Sequence, residues 1–235
     1  MIAVILPTFC EAQNIEELIK RLEELKLDLW IVVVDDSSPD GTAEVVKRIM
    51  EIYDNITLIE RPRKLGIGAA ILTGLEFISS SGKRVDYVSV MDADLSHDPK
   101  ELPMLVNGVC CSDVVVGSRY VRGGKIEGWG LSRRLISRIA NLLANKILRL
   151  GIRDATSGYR VYRLEALLKV IDRIENMGFS FQVESLYRLI KSGFSVEEKP
   201  IKFVNRKRGS SKLNSREILS FIRTLLKLKS SELKS

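Results

Sequence analysis

The chain of 235 residues is predicted to fold as a doubly wound α/β domain, in which helices cover both faces of a mixed, mostly parallel sheet. Two observations predict this fold. Strand-like apolar runs alternate with helix-period segments through the first half, and the run Trp30–Val34 is wholly apolar. Such alternation is typical of βαβ units, and an unbroken apolar strand suits a parallel sheet that is buried on both faces. Because ligands of these folds bind at the carboxyl ends of the strands, residues that follow strands are the first candidates for a site.

In the first half, each strand is predicted from a short apolar run and each helix from apolar residues at three- and four-residue spacing. The predicted strands are Ile2–Leu6, Trp30–Val34, Ile56–Glu60, Val85–Met91 and Asp113–Gly117. The predicted helices are Asn14–Leu25, Thr42–Tyr53, Gly68–Ser79 and Asp98–Val106. We expect Asn14 and Glu17 to form a capping box, and Thr42 or Asp40 to cap the second helix.

After Tyr120 the pattern changes. Residues 122–130 contain four glycines and are predicted to form a loop, whereas Leu131–Leu150 has the pattern of an amphipathic helix with a basic polar face. Helices near 164–171 and 180–191 precede a strand over Ser195–Val204 that Pro200 interrupts, and a second basic amphipathic helix begins at Arg216. No linker divides the chain, so we expect one domain over residues 1–235.

The net charge of +7 is unevenly distributed along the chain. Residues 1–118 carry −9, residues 119–163 carry +9, residues 164–201 carry −1 and residues 202–235 carry +8. Two basic blocks after an acidic half indicate an anionic partner for the second half. The basic run Arg206–Lys212 has no aromatic side chain on which bases could stack, so we expect phosphates or an anionic membrane and no nucleic acid.

Composition and missing motifs exclude several classes of protein. Three cysteines do not make a disulfide framework, which favours a reducing cytosol. No run approaches the ~18 apolar residues of a membrane span, and the N-terminus lacks the basic region of a signal peptide. The sequence contains neither a Walker A motif nor a Gly-x-Ser-x-Gly elbow, and Gly66-Ile67-Gly68 does not complete a dinucleotide fingerprint.

Asp92-Ala93-Asp94 follows the predicted strand Val85–Met91. Two carboxylates at the end of a buried strand can bind Mg²⁺ or Mn²⁺, which prefer oxygen ligands and keep positions open for substrate phosphates. The chain's only histidine, His97, cannot supply a histidine-rich metal site and is interpreted as a residue at the start of a helix.

Two other strand ends also carry acidic residues. Asp35 and Asp36 follow the second strand, and Glu11 follows the first. The segment after Asp35 has the composition of a turn, so this pair either builds the turn or places one carboxylate against a base or ribose. On the basic side, Arg119 follows the strand Asp113–Gly117, and Arg206–Lys212 is suited to closing over phosphates.

Six motifs occur in an order that resembles a known family. They are Pro7-Thr-Phe-Cys-Glu-Ala-Gln-Asn14, Asp35-Asp-Ser-Ser-Pro-Asp-Gly-Thr42, Met91-Asp-Ala-Asp-Leu-Ser-His-Asp-Pro99, Gly117-Ser-Arg-Tyr120, Asp154-Ala-Thr-Ser-Gly-Tyr-Arg160 and Arg206–Lys212. Together they resemble the dolichyl-phosphate mannosyltransferases, inverting enzymes of glycosyltransferase family 2 with the Rossmann-like GT-A fold. The resemblance spans nearly the whole chain, and it implies a nucleotide-sugar-binding half (1–118) and an acceptor-binding half (119–235).

This resemblance implies transfer of mannose from GDP-mannose to dolichyl (polyprenyl) phosphate, with Mg²⁺ or Mn²⁺ bound by Asp92 and Asp94. It assigns Asp92, Asp94, Arg119 and Arg206 to catalysis. It assigns substrate contacts to Pro7, Phe9, Glu11, Val34, Asp36, Asp92, Ala93, Asp94, Arg119, Arg133, Ser137, Arg206 and Lys212. Phe9 stands where many members have Tyr, and Ser96 stands where some have a metal-binding Gln.

The expected location is peripheral, on the cytoplasmic face of a membrane, through the two basic amphipathic helices or with a small membrane-anchoring subunit. The alternative for Leu131–Leu150 is that it simply packs on the core. Three other functions stay open: a polyprenyl-phosphate glucosyltransferase, a sugar-phosphate nucleotidyltransferase and a basic binding module.

Overall fold

The computed structural model describes residues 1–205 and 215–232, in which the chain forms nine strands and eight α-helices. The strands are β1 Ile2–Thr8, β2 Leu29–Asp35, β3 Ile56–Glu60, β4 Tyr87–Val90, β5 Val114–Ser118, β6 Lys125–Glu127, β7 Arg160–Arg163, β8 Val196–Pro200 and β9 Lys202–Val204. The helices are α1 Ile15–Glu23, α2 Thr42–Met50, α3 Ile67–Ser80, α4 Leu102–Gly108, α5 Leu131–Leu148, α6 Leu164–Ile171, α7 Phe181–Lys191 and α8 Ser215–Glu232. A short 3₁₀ helix, Pro99–Glu101, precedes α4.

Seven strands form one sheet in the order β3-β2-β1-β4-β7-β5-β8. All neighbours pair in parallel except β7, which lies antiparallel between β4 and β5. The predicted mixed, mostly parallel sheet is therefore confirmed. Because β7 runs in the opposite direction, its first residue lies at the same edge of the sheet as the ends of the other strands.

The two faces of the sheet are covered by different helices. Along β1, Ala3 and Ile5 pack with α3 and α5 to α8, whereas Val4 and Leu6 pack with α1, α2 and α4. This alternation follows from the period of two in a strand, and burial on both faces explains the continuous apolar run.

Two local predictions are wrong. Asn14 does not cap α1 through its side chain but donates to Glu11 Oε2 (2.8 Å), while Glu17 pairs with Arg21 (2.8 Å), so the capping box does not form. The segment 122–130 is not only a loop, because β6 within it pairs in parallel with β9. Pro200 does separate two strands, as predicted, and the second of them is the partner that β6 requires.

The amphipathic helix α5 also differs from the pattern of a core helix. Its buried residues are Asn141, Ala144 and Leu148, whereas Leu131 is 85% exposed and Leu142 is 66% exposed. The interpretation that this helix simply packs on the core is therefore wrong for its first three turns. In the part of the chain that the structure describes, no helix is both long enough and apolar enough to cross a membrane.

Strand β9 is hydrogen-bonded to the segment that follows β4. The Val204 amide donates to the Ser96 carbonyl (3.1 Å), and the Lys202 amide donates to Glu101 Oε1 (2.6 Å). Burial raises the pKa of Glu101 to about 7, with a further contribution from the negative charge of Asp98. Deprotonation of Glu101 therefore opposes folding, and it occurs near neutral pH.

We predict that Glu101→Gln stabilises the protein increasingly as pH rises from 5 to 8. Glu101 has a folded pKa of about 7, above its unfolded value of about 4.3. The folded state thus binds more protons between these values, and the wild type loses stability as pH rises through 7. Glutamine keeps the acceptor for the Lys202 amide but does not titrate. The difference in melting temperature between the two proteins should grow by a few degrees between pH 5 and pH 8; a difference that does not change with pH would contradict the assignment.

Candidate functional site

A cavity of about 1120 Å³ lies at the edge where the strands of the large sheet end. Phe9 follows β1, Asp36 follows β2, Asp92 follows β4 and Arg119 follows β5, and all four line this cavity. The topology therefore orders them across the sheet edge as Asp36, Phe9, Asp92 and Arg119. The predicted convergence of strand ends is observed, with acidic residues at one side and a basic residue at the other.

The segment carrying Asp92 and Asp94 is a tight turn held by its own polar groups. Leu95 adopts a left-handed conformation (φ 61°), and the Ser96 amide donates to Asp94 Oδ1 (3.0 Å). The Asp92 amide donates to His97 Nδ1 (3.1 Å). Burial lowers the pKa of the His97 imidazole. The ring is therefore neutral at pH 7, with its proton on the other nitrogen, and serves as an acceptor that positions Asp92.

The donor set around Asp92 and Asp94 fits a divalent cation that is completed by substrate. Asp92 is one-third exposed towards the cavity, and Asp94 is 5% exposed at its wall. Among the described residues, no group of three or more His, Cys, Asp or Glu side chains is assembled as a closed metal site. Two carboxylates with open positions are the arrangement in which Mg²⁺ or Mn²⁺ takes its remaining ligands from phosphates and water. Ser96 is buried and does not line the cavity.

The two aspartates after β2 have different roles. Asp35 accepts from the Ser38 amide (2.8 Å), the Ser38 hydroxyl and the Thr8 hydroxyl, so it builds the turn. Asp36 lines the cavity, accepts from the Gly66 amide (3.3 Å) and lies 3.2 Å from the buried Arg61 guanidinium. The turn interpretation therefore fits Asp35, and only Asp36 is placed to meet a ligand.

Arg119 is held by a buried bidentate ion pair. Its Nε and Nη2 donate to the carboxylate of Asp154 at 2.7 and 2.6 Å, and Nη2 also donates to the Thr156 hydroxyl (2.8 Å). Burial alone would raise the pKa of Asp154, but the charge and hydrogen bonds of Arg119 outweigh it and hold that pKa below its usual value. Arg160 is fully buried nearby, donating to the carbonyls of Ala155 and Gln182. The charge of Arg160 also lowers the pKa of Asp154, and Arg119 itself lines this end of the cavity.

Helix α5 supplies the far wall of the cavity. Arg133 stacks over Trp129 (4.1 Å from guanidinium carbon to ring centroid) and donates to Asn205 Oδ1 (2.9 Å). Ser137 accepts from the Tyr120 hydroxyl (2.8 Å). Apolar side chains of α5 and α8 continue the wall beyond these polar groups: Ile136, Ile139, Leu143, Ile218, Phe221 and Ile222. The cavity thus changes from acidic, through basic, to apolar.

Most of the residues predicted for the site come together. Those lining the cavity are Pro7, Phe9, Glu11, Asp36, Asp92, Ala93, Asp94, Arg119, Arg133 and Ser137. Val34 does not line it, because the side chain is fully buried within β2. Arg206 and Lys212 lie outside the described residues.

Sequence reasoning missed several residues of the cavity. Lys64 lies over the Phe9 ring (3.8 Å), Phe203 packs against His97, and Gly158 and Gln182 line the wall beside Asp92. Gly158 falls within the motif Asp154–Arg160, which was a usable signal. Gln182 had none, because a single polar residue in an amphipathic helix does not stand out.

The sequence of the chain matches one family profile and is similar to known proteins along most of its length. A sequence profile described as "Glycosyl transferase family 2" matches residues 3–171. The chain is 38% identical over 218 residues to the polyprenol monophosphomannose synthase of Mycolicibacterium smegmatis, an alignment that covers 92% of this chain and 82% of that protein. It is 36% identical over 214 residues to the undecaprenyl-phosphate mannosyltransferase of Micrococcus luteus, covering 91% of this chain and 87% of that protein.

Solved structures support the fold. Glucosyl-3-phosphoglycerate synthase from Mycobacterium tuberculosis, with Mn²⁺, UDP and glucosyl-3-phosphoglycerate, superimposes with a TM-score of 0.69 at 19% identity, covering 98% of this chain and 79% of that one. A mannosyltransferase from Pyrobaculum calidifontis, in complex with GDP-Man and Mn²⁺, gives a TM-score of 0.63 at 20% identity, covering 100% of this chain and 64% of that one. At these identities the likeness establishes a GT-A fold.

We predict that Asp154→Asn destabilises the protein by about 3–5 kcal/mol, the usual cost of breaking a buried ion pair by removing one partner. The substitution leaves the buried guanidinium of Arg119 without its carboxylate. Urea unfolding measures the change. As a control, Glu16→Gln removes one partner of an exposed pair with Lys20, and should change stability by less than about 1 kcal/mol. Equal effects of the two substitutions would contradict this role for Asp154.

Proposed function

The chain belongs to glycosyltransferase family 2, and we propose that it transfers mannose from GDP-mannose to a polyprenyl phosphate such as dolichyl phosphate. One observation carries the proposal: a single cavity joins carboxylates at the strand ends to two arginines and an apolar wall. The carboxylates suit a nucleotide sugar with its metal ion, and the arginines with the apolar wall suit a lipid phosphate. The names of the two relatives support mannose as the sugar and a polyprenyl phosphate as the acceptor. Membership of a glycosyltransferase family argues against the two other functions considered from the sequence, a sugar-phosphate nucleotidyltransferase and a basic binding module.

The acidic end of the cavity would hold the donor. Asp36 and Glu11 would accept hydrogen bonds from the nucleoside, next to Pro7 and Phe9. Asp92 and Asp94 would hold Mg²⁺ or Mn²⁺, which when bound neutralises charge on the departing diphosphate. The complex of the Pyrobaculum protein with GDP-Man and Mn²⁺ supports this combination within the fold.

The basic end would hold the acceptor. Arg119, Arg133 and Ser137 line the cavity together and would contact the lipid phosphate, with Arg206 and Lys212 as further cations from outside the described residues. The prenyl chain would then run along the apolar side chains of α5 and α8. This arrangement explains why a phosphate site and an apolar wall share one cavity.

The proposed reaction needs no general base. A phosphate monoester has a second pKa of about 6, so its oxygens are largely deprotonated at neutral pH. One of them attacks the anomeric carbon while the bond from that carbon to the diphosphate oxygen breaks, and GDP leaves with the electron pair. The neutral His97 is occupied in positioning Asp92. A single displacement inverts the configuration and gives β-mannosyl phosphate.

We also propose that the chain attaches peripherally to the cytoplasmic face of a membrane. The first turns of α5 expose Leu131, Leu135 and Leu142, and α8 exposes Leu219 and Leu226. Basic residues Arg138 and Lys146 are exposed on α5 as well. Apolar side chains beside cations suit the surface of an anionic bilayer, where each Lys or Arg contributes about 1 kcal/mol.

In a transfer assay with polyprenyl phosphate and Mn²⁺, we expect label from GDP-mannose, and not from UDP-glucose, to enter the lipid fraction as the β anomer. Asp94→Ala should weaken metal-dependent GDP binding and transfer by about two orders of magnitude, the loss typical of removing one charge-stabilising group. Asp54→Ala, at an exposed position remote from the cavity, is the matched control. An α-linked product would refute single displacement, labelling from UDP-glucose would favour the glucosyltransferase, and undiminished GDP binding by Asp94→Ala would move the metal site elsewhere.

For membrane attachment, we predict that the purified protein binds anionic liposomes at low salt, and that Arg138→Glu with Lys146→Glu weakens binding about tenfold or more. The control pair, Arg48→Glu with Lys100→Glu, changes the net charge equally on the opposite face of the sheet and should bind nearly as the wild type does. Co-sedimentation measures both. A wild-type protein that does not bind such liposomes would show that unaided attachment is wrong, and would favour an anchoring subunit.

A further inference from the structure

Gln182 is a buried polar side chain near the start of α7. It is 3% exposed, and it lines the cavity. Within residues 1–205 and 215–232, neither its amide oxygen nor its amide nitrogen has a hydrogen-bond partner. Each buried polar group left unpaired costs about 1–3 kcal/mol, so a folded protein is expected to use it for a ligand.

Gly158 lies next to the side-chain amide of Gln182. A Cβ atom added to Gly158 would lie 3.2 Å from Asp92 Oδ1 and 3.6 Å from Gln182 Nε2. The backbone of Gly158 is not in the left-handed region, so its conformation does not demand glycine. The missing side chain therefore lets the carboxylate of Asp92 and the amide of Gln182 lie close to the backbone of Gly158, and all three residues line the same cavity.

The order of the strands locates this part of the cavity relative to the rest of the ligand. Gly158 precedes the antiparallel strand β7, which lies between β4, followed by Asp92, and β5, followed by Arg119. Asp36 lies on the other side of Asp92, two strands away at roughly 4.8 Å per strand. A nucleotide sugar bound with its base at Asp36 and its diphosphate at Asp92 would therefore place its transferred sugar at Gly158, next to the acceptor phosphate at Arg119.

The side-chain amide of Gln182 has one group that donates and one that accepts, and this limits which part of a ligand can pair with both. A phosphate oxygen could accept from the NH₂ group but would leave the carbonyl unpaired, and a metal ion would satisfy the carbonyl alone. Adjacent hydroxyl groups satisfy both, because each hydroxyl donates and accepts. Ribose also carries adjacent hydroxyls, but it lies on the base side of the diphosphate, away from Gly158.

We propose that Gln182 binds adjacent hydroxyl groups of the transferred sugar, in the part of the cavity beside Gly158 and Asp92, and so determines which sugar the enzyme accepts. The proposal deepens the proposed function and rests on it for the orientation of the donor. It assigns Gln182 to recognition of the sugar, and not to the nucleotide, the metal or the core.

The test compares Gln182→Met with wild type in calorimetric titrations of GDP and GDP-mannose, and of UDP and UDP-glucose, each with Mn²⁺ and without acceptor. Methionine keeps the length of the side chain and removes both hydrogen-bonding groups. For the nucleotide pair that the wild type binds, the ratio of the dissociation constants of the nucleotide sugar and the nucleotide should rise roughly tenfold, with the nucleotide's own constant changed by less than about twofold. The melting temperature should stay the same or rise, because an unpaired buried amide has been removed.

The control is Gln13→Met, the same change at the chain's only other glutamine, which is exposed and does not line the cavity. It should leave the ratio unchanged. The proposal is overturned if Gln182→Met weakens nucleotide and nucleotide sugar equally, if the ratio does not change, or if the protein melts several degrees lower with an unchanged ratio. If the ratio rises as expected but the wild type mannosylates no polyprenyl phosphate, the sugar site stands and only the acceptor in the proposed function is wrong.

Discussion

The buried ion pair between Arg119 and Asp154 is the interaction on which the basic end of the cavity depends. It joins the residue after β5 to the segment that leads into β7, so it fixes the one antiparallel strand beside its neighbour. Gly158 lies in that segment, before β7 at the sheet edge, and the fully buried Arg160 is the first residue of the strand. A cation can stay at a buried position only when it is paired and hydrogen-bonded, and Asp154 supplies this for Arg119.

The pairing of the strands in one sheet explains how opposite charges share one cavity. The first half of the chain carries −9 and the next 45 residues carry +9, and the sheet brings part of each to one edge. Acidic residues follow β1, β2 and β4, while basic residues follow β5 and occupy α5. A ligand that carries its own negative charge between these regions would be held by cations on one side and by a metal ion on the other. The uneven distribution of charge along the sequence therefore reflects the arrangement of acidic and basic residues in the cavity.

Much of this arrangement could be predicted from the sequence, because it depends on local patterns. Apolar runs predicted the strands within a few residues, and residues directly after them, such as Asp36 and Asp92, were found at the cavity. What depends on tertiary pairing could not be predicted. Strand β6 is three residues within a glycine-rich segment and exists because β9 pairs with it. The exposure of Leu131 and the unpaired amide of Gln182 are likewise set by neighbours that lie distant in the sequence.

In the proposed function, one cavity holds the nucleotide and the lipid phosphate side by side. A crystal structure with GDP, Mn²⁺ and a short-chain polyprenyl phosphate, a combination that lacks the sugar and cannot react, tests it most directly. We expect the diphosphate and metal against Asp92 and Asp94, and the lipid phosphate between Arg119 and Arg133 with its chain along α5. A lipid phosphate bound outside this cavity, or a nucleotide bound away from Asp36, would contradict it.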